Sequence, residues 1–224
     1  MRLLILRPEP GASQTAERAR AIGLDPVVAP LFAIVAVAGP PVAAGSFDAV
    51  LLTSANAARH APAGLTALPC FAVGESTAAA ARAAGFADVR TGPCDGAAAA
   101  AMMAAAGVGT ALHLCGRDHL PVEAAGVAIA RHIVYAAEPI PLQPIDGPAV
   151  AMIHSARAGA LFAKLAGERV AIAIAAISPA AAAATGEGWA VKAVASAPRD
   201  QALLELAAKL CNHDIDLARD GNGL

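Results

Sequence analysis

The sequence predicts an α/β chain of two doubly wound parallel-sheet domains, joined by two extended linkers and with a cleft between them. Three observations carry this. Short apolar runs alternate with longer alanine-rich stretches, the pattern of parallel strands covered by helices. One passage occurs twice: FDAVLLTSANAARHA (47–61) is answered by PAVAMIHSARAGALFAKL (148–165), each an apolar run that closes on a small hydroxyl and opens a helix-compatible stretch. Finally, the two densest proline segments, AGPPVA (38–43) and EPIPLQPIDGP (138–148), each follow a strand-like run and mark two crossings between domains. These crossings assign 1–35 plus 142–224 to a first, discontinuous domain and 36–141 to a second, inserted one. A single boundary near Gly109 is the competing division, because 112–135 repeats the strand, loop, helix, glycine, strand order of 3–31.

Taken in order, residues 2–6 form an apolar run that stops at Arg7 and Pro8, a buried strand, and the proline-free stretch 11–22 is the helix that follows it. Residues 27–31 are the next strand. Residues 49–52 and 70–73 are short apolar strands, each followed by small turn residues and a helix, at 55–61 and 77–84. The alanine-rich 96–106 is a helix, 111–114 a strand and 120–130 a further helix, with 131–135 a strand leading into the second linker. The second half repeats the scheme, with strands at 149–153, 170–177 and 191–194 and helices at 156–165, 179–185 and 200–211. Residues 212–224 are polar and read as a frayed tail.

Composition narrows the function. Aromatic content is 3% and charged content 15%, so the core is built from Ala, Val, Leu and Ile. A net charge of −2 with acids and bases interspersed gives no basic stripe for a nucleic acid. The apolar run at the start is too short for an export signal, and the apolar stretch 170–184 is interrupted by Ser178 and Pro179, so neither a leader nor a membrane span is expected. A soluble, cytoplasmic protein follows. The four cysteines, Cys70, Cys94, Cys115 and Cys211, form no CxxC pair and read as buried thiols. Strand alternation places His113 and Cys115 on one face near His119, but with no fourth ligand no metal is expected.

No GxGxxG, P-loop or GxSxG motif is present. What recurs is a small hydroxyl where a strand ends and a helix begins: Thr53 and Ser54 with Ala55 and Asn56, Ser76 and Thr77 after Gly74, Ser155, and Ser178. Any one of these is an ordinary N-cap. Together, at the carboxyl ends of parallel strands, they wall a crevice whose helix N-termini favour an anion. A polycarboxylate or a phosphate ester suits it. A two-lobed receptor for a small anionic ligand would share this architecture.

The chain resembles the uroporphyrinogen-III synthase family. The resemblance rests on LRPEPGASQTAERARAIGLDPVVAPLF, FDAVLLTSANAARHA, FAVGESTAAAARAAGF and LHLCGRDHLPVEAAGVAIARHIVY, followed by the HSA and AIS turns, in that order and spacing. It implies two α/β domains with the first and last parts of the chain in one, favouring the proline-based division. It also implies cyclisation of linear hydroxymethylbilane to uroporphyrinogen III, with inversion of the fourth ring and loss of water, on the way to haem, sirohaem and cobalamin. It implies no cofactor, a cytoplasmic monomer, and transient contact with the hydroxymethylbilane synthase that makes the substrate. Tyr135, the only tyrosine, matches the family's proposed proton donor. Arg7 is a candidate partner for a substrate carboxylate, and Thr77 matches a threonine common in the first repeat. In the second repeat Ser178 stands where a glycine is common and Ala181 where a threonine is common, which keeps a catalytically silent paralogue as the alternative.

Overall fold

A computed structural model describes residues 1–92 and 95–220, with side chains for all of these except 213–220. The elements are β1 (Arg2–Ile5), α1 (Gly11–Ala21), β2 (Asp25–Val28), β3 (Phe32–Ala36), β4 (Ala49–Leu52), α2 (Ala55–Arg59), β5 (Cys70–Val73), α3 (Glu75–Ala83), β6 (Val89–Gly92), α4 (Gly96–Ala105), β7 (Thr110–Gly116) and β8 (Ala128–Pro139). Then follow β9 (Ala149–Ile153), α5 (Ala156–Leu165), β10 (Ile172–Ala176), α6 (Pro179–Ala184), β11 (Val191–Val194) and α7 (Asp200–Asp220). The chain divides into two compact units, one of Met1–Ala33 with Pro139–Leu224 and the other of Ile34–Glu138.

Each unit holds one sheet, ordered β11-β10-β9-β1-β2 in the first and β3-β8-β7-β4-β5-β6 in the second. From β1 to β2 and from β9 to β11 in one sheet, and from β4 to β6 and β7 to β8 in the other, neighbouring strands pair in parallel. Matched end to end, the orders correspond: β11 with β6, β10 with β5, β9 with β4, β1 with β7 and β2 with β8. The sequence repeat is therefore β4–α2 echoed by β9–α5, and β5–α3–β6 echoed by β10–α6–β11. Each sheet reverses its winding once, between β9 and β1 and between β4 and β7, and such reversals open ligand crevices at strand carboxyl ends.

Alternation of side chains gives each sheet two buried faces. In the second unit Ala49, Leu51 and Ala111 pack on Ala99, Ala100 and Met103 of α4. Val50, Leu52, Leu112 and Leu114 pack on Ala57, Ala58, Ala78 and Ala81 of α2 and α3. In the first, Leu3, Ile5, Val150 and Met152 meet the alanines of α1 and the leucines of α7. Leu51 is fully buried, so truncating it to alanine costs about 3 kcal/mol.

Two expectations are corrected. Residues 120–130 form no helix: Pro121 and Gly126, the latter at φ 80°, leave too few residues between them to nucleate one, and an antiparallel bridge joins Ala124 to Val127 before the β-branched pattern of β8 begins. At the other end α7 continues to Asp220 instead of stopping near residue 211. Strand β2 starts at Asp25 and includes Pro26, which an edge strand tolerates because nothing outside needs the missing N–H. No helix among the described residues is long and apolar enough to cross a membrane.

Candidate active site

The reversal point of the second sheet opens into a pocket of about 570 Å³. Thr53 and Ser54 line it from the end of β4, Gly116 and Tyr135 from β7 and β8, and Asp95 and Gly96 from the start of α4. The remaining wall is the loop of residues 118–123 together with Val73. That loop occupies the place in the sheet plan where the first unit has α1. Failure of the segment to become a helix is what supplies the wall.

Consecutive residues of a strand point to opposite faces, and the pocket draws on both. On the α2 face, the Tyr135 hydroxyl donates to Ser54 Oγ at 3.1 Å. Ser54 is also the N-cap of α2, its Oγ accepting from the Asn56 N–H at 3.1 Å. With both acceptor positions used, the Ser54 hydrogen is the one left to donate. The His60 ring stacks on Tyr135 at 6.2 Å. On the α4 face, Thr53 Oγ1 lies 2.9 Å from His113 Nε2.

Tyr135 reaches its place through a bulge. Cys115 is opposite Ile133, but Gly116 is opposite Tyr135, one residue further on than regular pairing allows. The ring then lies on Gly116, where a Cβ would sit 2.6 Å from Tyr135 Cζ. Only glycine leaves room.

His113 is fully buried, and burial first, then His119 and Arg131, pulls its pKa down to about 4. His119 meets it edge-on at 6.0 Å, with Nδ1–H donating to the Gly116 carbonyl at 3.0 Å and Nε2 accepting from Arg131 at 3.3 Å. The Cys115 thiol turns instead to the His132 carbonyl. No cluster of three His, Cys, Asp or Glu side chains suited to a metal lies among the described residues. Cys70, Cys115 and Cys211 are free and buried, while Cys94 lies outside the described residues.

Of the residues expected from sequence, Thr53, Ser54 and Tyr135 share this pocket, with Ala55 and Asn56 opening α2 behind them. Gly74, at φ 73°, caps α3 on the neighbouring strand, followed by exposed Ser76 and buried Thr77. Ser155 and Ser178 lie in the first unit, capping α5 and α6 through the Ala158 and Ala181 amides. Arg7 is there too, and it is engaged: its guanidinium donates to Asp200 at 2.8 Å. Asp200 also takes Arg18, Thr15 at 3.0 Å and His154 Nε2 at 2.7 Å. Burial opposes the Asp200 charge, but the hydrogen bond and charge of His154, with Arg7 and Arg18, outweigh it and hold the carboxyl below its ordinary range. Asp95, Gly116, Asp118 and His119 were not singled out as pocket residues from sequence. The polar run GRDH directly after an apolar strand was the available signal.

The sequence profile described as Uroporphyrinogen-III synthase HemD matches residues 13–205. The uroporphyrinogen-III synthetase of Helicobacter pylori has a similar structure, with a TM-score of 0.65 at 16% identity over 94% of this chain and 100% of that one. A mutant uroporphyrinogen III synthase of Thermus thermophilus gives a TM-score of 0.51 at 14% identity, over 95% of this chain and 99% of that one. At such identities the likeness is one of fold. No curated protein sequence matches the chain. The profile match, spanning most of the chain and both units, decides the matter: this chain belongs to the uroporphyrinogen-III synthase family, enzymes of porphyrin biosynthesis.

Proposed function

We propose that the chain performs its family's reaction, cyclising hydroxymethylbilane to uroporphyrinogen III, with the reacting end of the substrate in the pocket of the second unit and Tyr135 as proton donor. The observation that carries this is the Tyr135 hydroxyl set on Ser54 at a sheet reversal point. Pockets of this size accept a single drug-sized ligand, so this one takes part of a four-ring chain.

In the first step a proton from Tyr135 goes to the terminal hydroxyl, which leaves as water and yields a cationic azafulvenium that keeps its pyrrole N–H. The substituted carbon of the last ring attacks it to form a spiro intermediate, which fragments and recloses with that ring inverted. Closure returns a proton from the pyrrole carbon to Tyr135, and the sum is loss of one water. Because the free chain also closes, to the uninverted isomer, the protein acts mainly by holding the conformer that favours spiro attack. Thr53, Ser54 and the amides opening α2 are the groups set to hold it, with Asn56, Gly74, Ser76 and Thr77 beside them. In the first unit Arg7 is held by Asp200, and Ser155 and Ser178 by the amides of the helices they cap. The same reading makes 1–35 plus 142–224 and 36–141 separate domains, and the protein a cytoplasmic monomer fed by the enzyme that makes the unstable bilane.

The test is a coupled assay in which hydroxymethylbilane is generated in situ and the oxidised products are separated by chromatography. Predominantly type III uroporphyrin is expected. Type I alone, from protein shown to be folded by circular dichroism, would overturn the reading.

A further inference from the structure

Behind the pocket, against Thr53, lies a buried polar group that the reaction above does not use. His113 is fully buried on β7, and its Nδ1 has no hydrogen-bond partner. Its other nitrogen faces Thr53 Oγ1 at 2.9 Å, and Thr53 lines the pocket. A neutral imidazole carries one hydrogen, which can sit on either nitrogen. If it sits on Nδ1, a buried N–H is left without an acceptor and the Thr53 hydrogen is consumed by His113. If it sits on Nε2, the His113 N–H bonds to Thr53, and Nδ1 keeps only a bare lone pair. The second arrangement also leaves the Thr53 hydrogen outside the pair.

We infer that His113 is a positioning residue acting through Thr53: Nε2–H occupies an acceptor position of Oγ1 and turns the Thr53 O–H into the pocket as a donor to an anionic group of the substrate. The surroundings keep the imidazole neutral at pH 7. Burial opposes a charge there, and the groups that face it are His119, edge-on from the pocket loop, and Arg131 on β8. With no carboxylate among them, nothing holds a second proton on the ring. The consequence is a row of two adjacent hydroxyls, Ser54 with both acceptor positions filled and Thr53 with one, each left to donate its hydrogen into the same pocket. A pair so arranged favours a carboxylate over a neutral hydrogen-bond donor such as an amide N–H, since it offers two hydrogens and a single open lone pair.

This inference rests on the proposed reaction for the identity of the anion, and its test separates the two. In full-length protein carrying ¹⁵N-labelled histidine, long-range proton–nitrogen correlation reads the tautomer of each ring, with His113 identified by the signal missing from His113→Gln. The Nε2–H form at pH 7 is expected. The Nδ1–H form, or a doubly protonated ring, would overturn the inference, whether or not the chain makes type III product. In the coupled assay, Thr53→Val and His113→Leu are each expected to raise KM about tenfold, the loss of one oriented hydrogen bond to a charged group, with a smaller change in kcat. The double variant should be no worse than Thr53→Val alone, and His113→Gln, which restores an N–H near Nε2, should recover most of the loss. Multiplying losses, or no recovery in folded His113→Gln, would show that His113 does not act through Thr53. Should His113→Leu fail to fold, the tautomer and the glutamine variant still decide.

Discussion

The two units follow one sheet plan, yet their reversal points differ. In the first unit the crevice end holds Arg7, Thr15, Arg18 and His154, all gathered on one carboxylate, Asp200. In the second, the corresponding end is an open pocket whose hydroxyls are paired so that hydrogens are left over. Helix α7 presents Asp200 where α4 presents its N-cap Asp95, but among the described residues the Asp95 carboxylate holds only its own helix amide, at 2.7 Å. The lesson is that a crevice is placed by topology and becomes a site only where the polar groups do not satisfy one another. In the first unit charges satisfy one another at that end; in the second, a loop replaces a helix and hydroxyls replace charges.

The largest expected effect falls on the open pocket. Tyr135→Phe should lower kcat in the coupled assay about a thousandfold, the scale of a general acid, with little change in KM; unchanged turnover would remove Tyr135 from the chemistry. Next comes acid sensitivity. His113 titrates near 6.5 when unfolded and at about 4 when folded, so the unfolded chain binds the extra proton in that window. Stability of the second unit is full above pH 6.5 and falls by up to about 3 kcal/mol as pH drops toward 4. Asp200 works in another window: its folded pKa lies below the ordinary 3.8, so its contribution persists down to that value and is lost only as pH falls further. Urea titrations at pH 7 and pH 4.5, with and without His113→Leu, should show the acid loss only where His113 is present.

A smaller change sharpens the contrast from the other side. Asp200→Asn leaves Arg7, Arg18 and His154 without their anion and should cost about 2 kcal/mol in denaturant unfolding, while type III formation by folded protein persists. Collapse of activity instead would make the first unit's charge cluster part of the site and break the comparison. Gly116→Ala should push the Tyr135 ring off β7 and lower turnover about tenfold, the equivalent of one displaced hydrogen bond. Least of all, Ser178→Ala removes the cap of α6 and should cost about 1 kcal/mol, read as a shift in the denaturant midpoint.

Strand and helix identity was legible wherever burial on both faces produced an uninterrupted apolar run, as in β4, β5, β9 and β10. It failed where local chemistry was ambiguous. Alanine-rich 120–130 looks helical by propensity, but its proline and glycine are spaced to forbid a nucleus, and the twelve residues of β8 claim the rest. The site was half legible. Thr53 and Ser54 stand out as hydroxyls at a strand end and Tyr135 through the family resemblance, whereas His113 and Cys115 suggest a metal pair by alternation alone. Only the three-dimensional register shows that one faces Thr53 and the other the His132 carbonyl. Arg7 reads as a free cation because its counter-ion lies at the far end of the sequence, at Asp200.

The bulge between β7 and β8 makes chain length a chemical variable in this protein. Insert a single residue beside Val134 while the bulge stays one residue deep, and the tyrosine moves one place along β8, past Gly116 and onto the α4 side of the sheet with Arg131 and Ile133, away from Ser54. Every side chain of the proposed site would still be encoded, and the proton donor would be on the wrong side. Loss of function in this family can therefore arise with all of its hallmark residues in place, through a count of one.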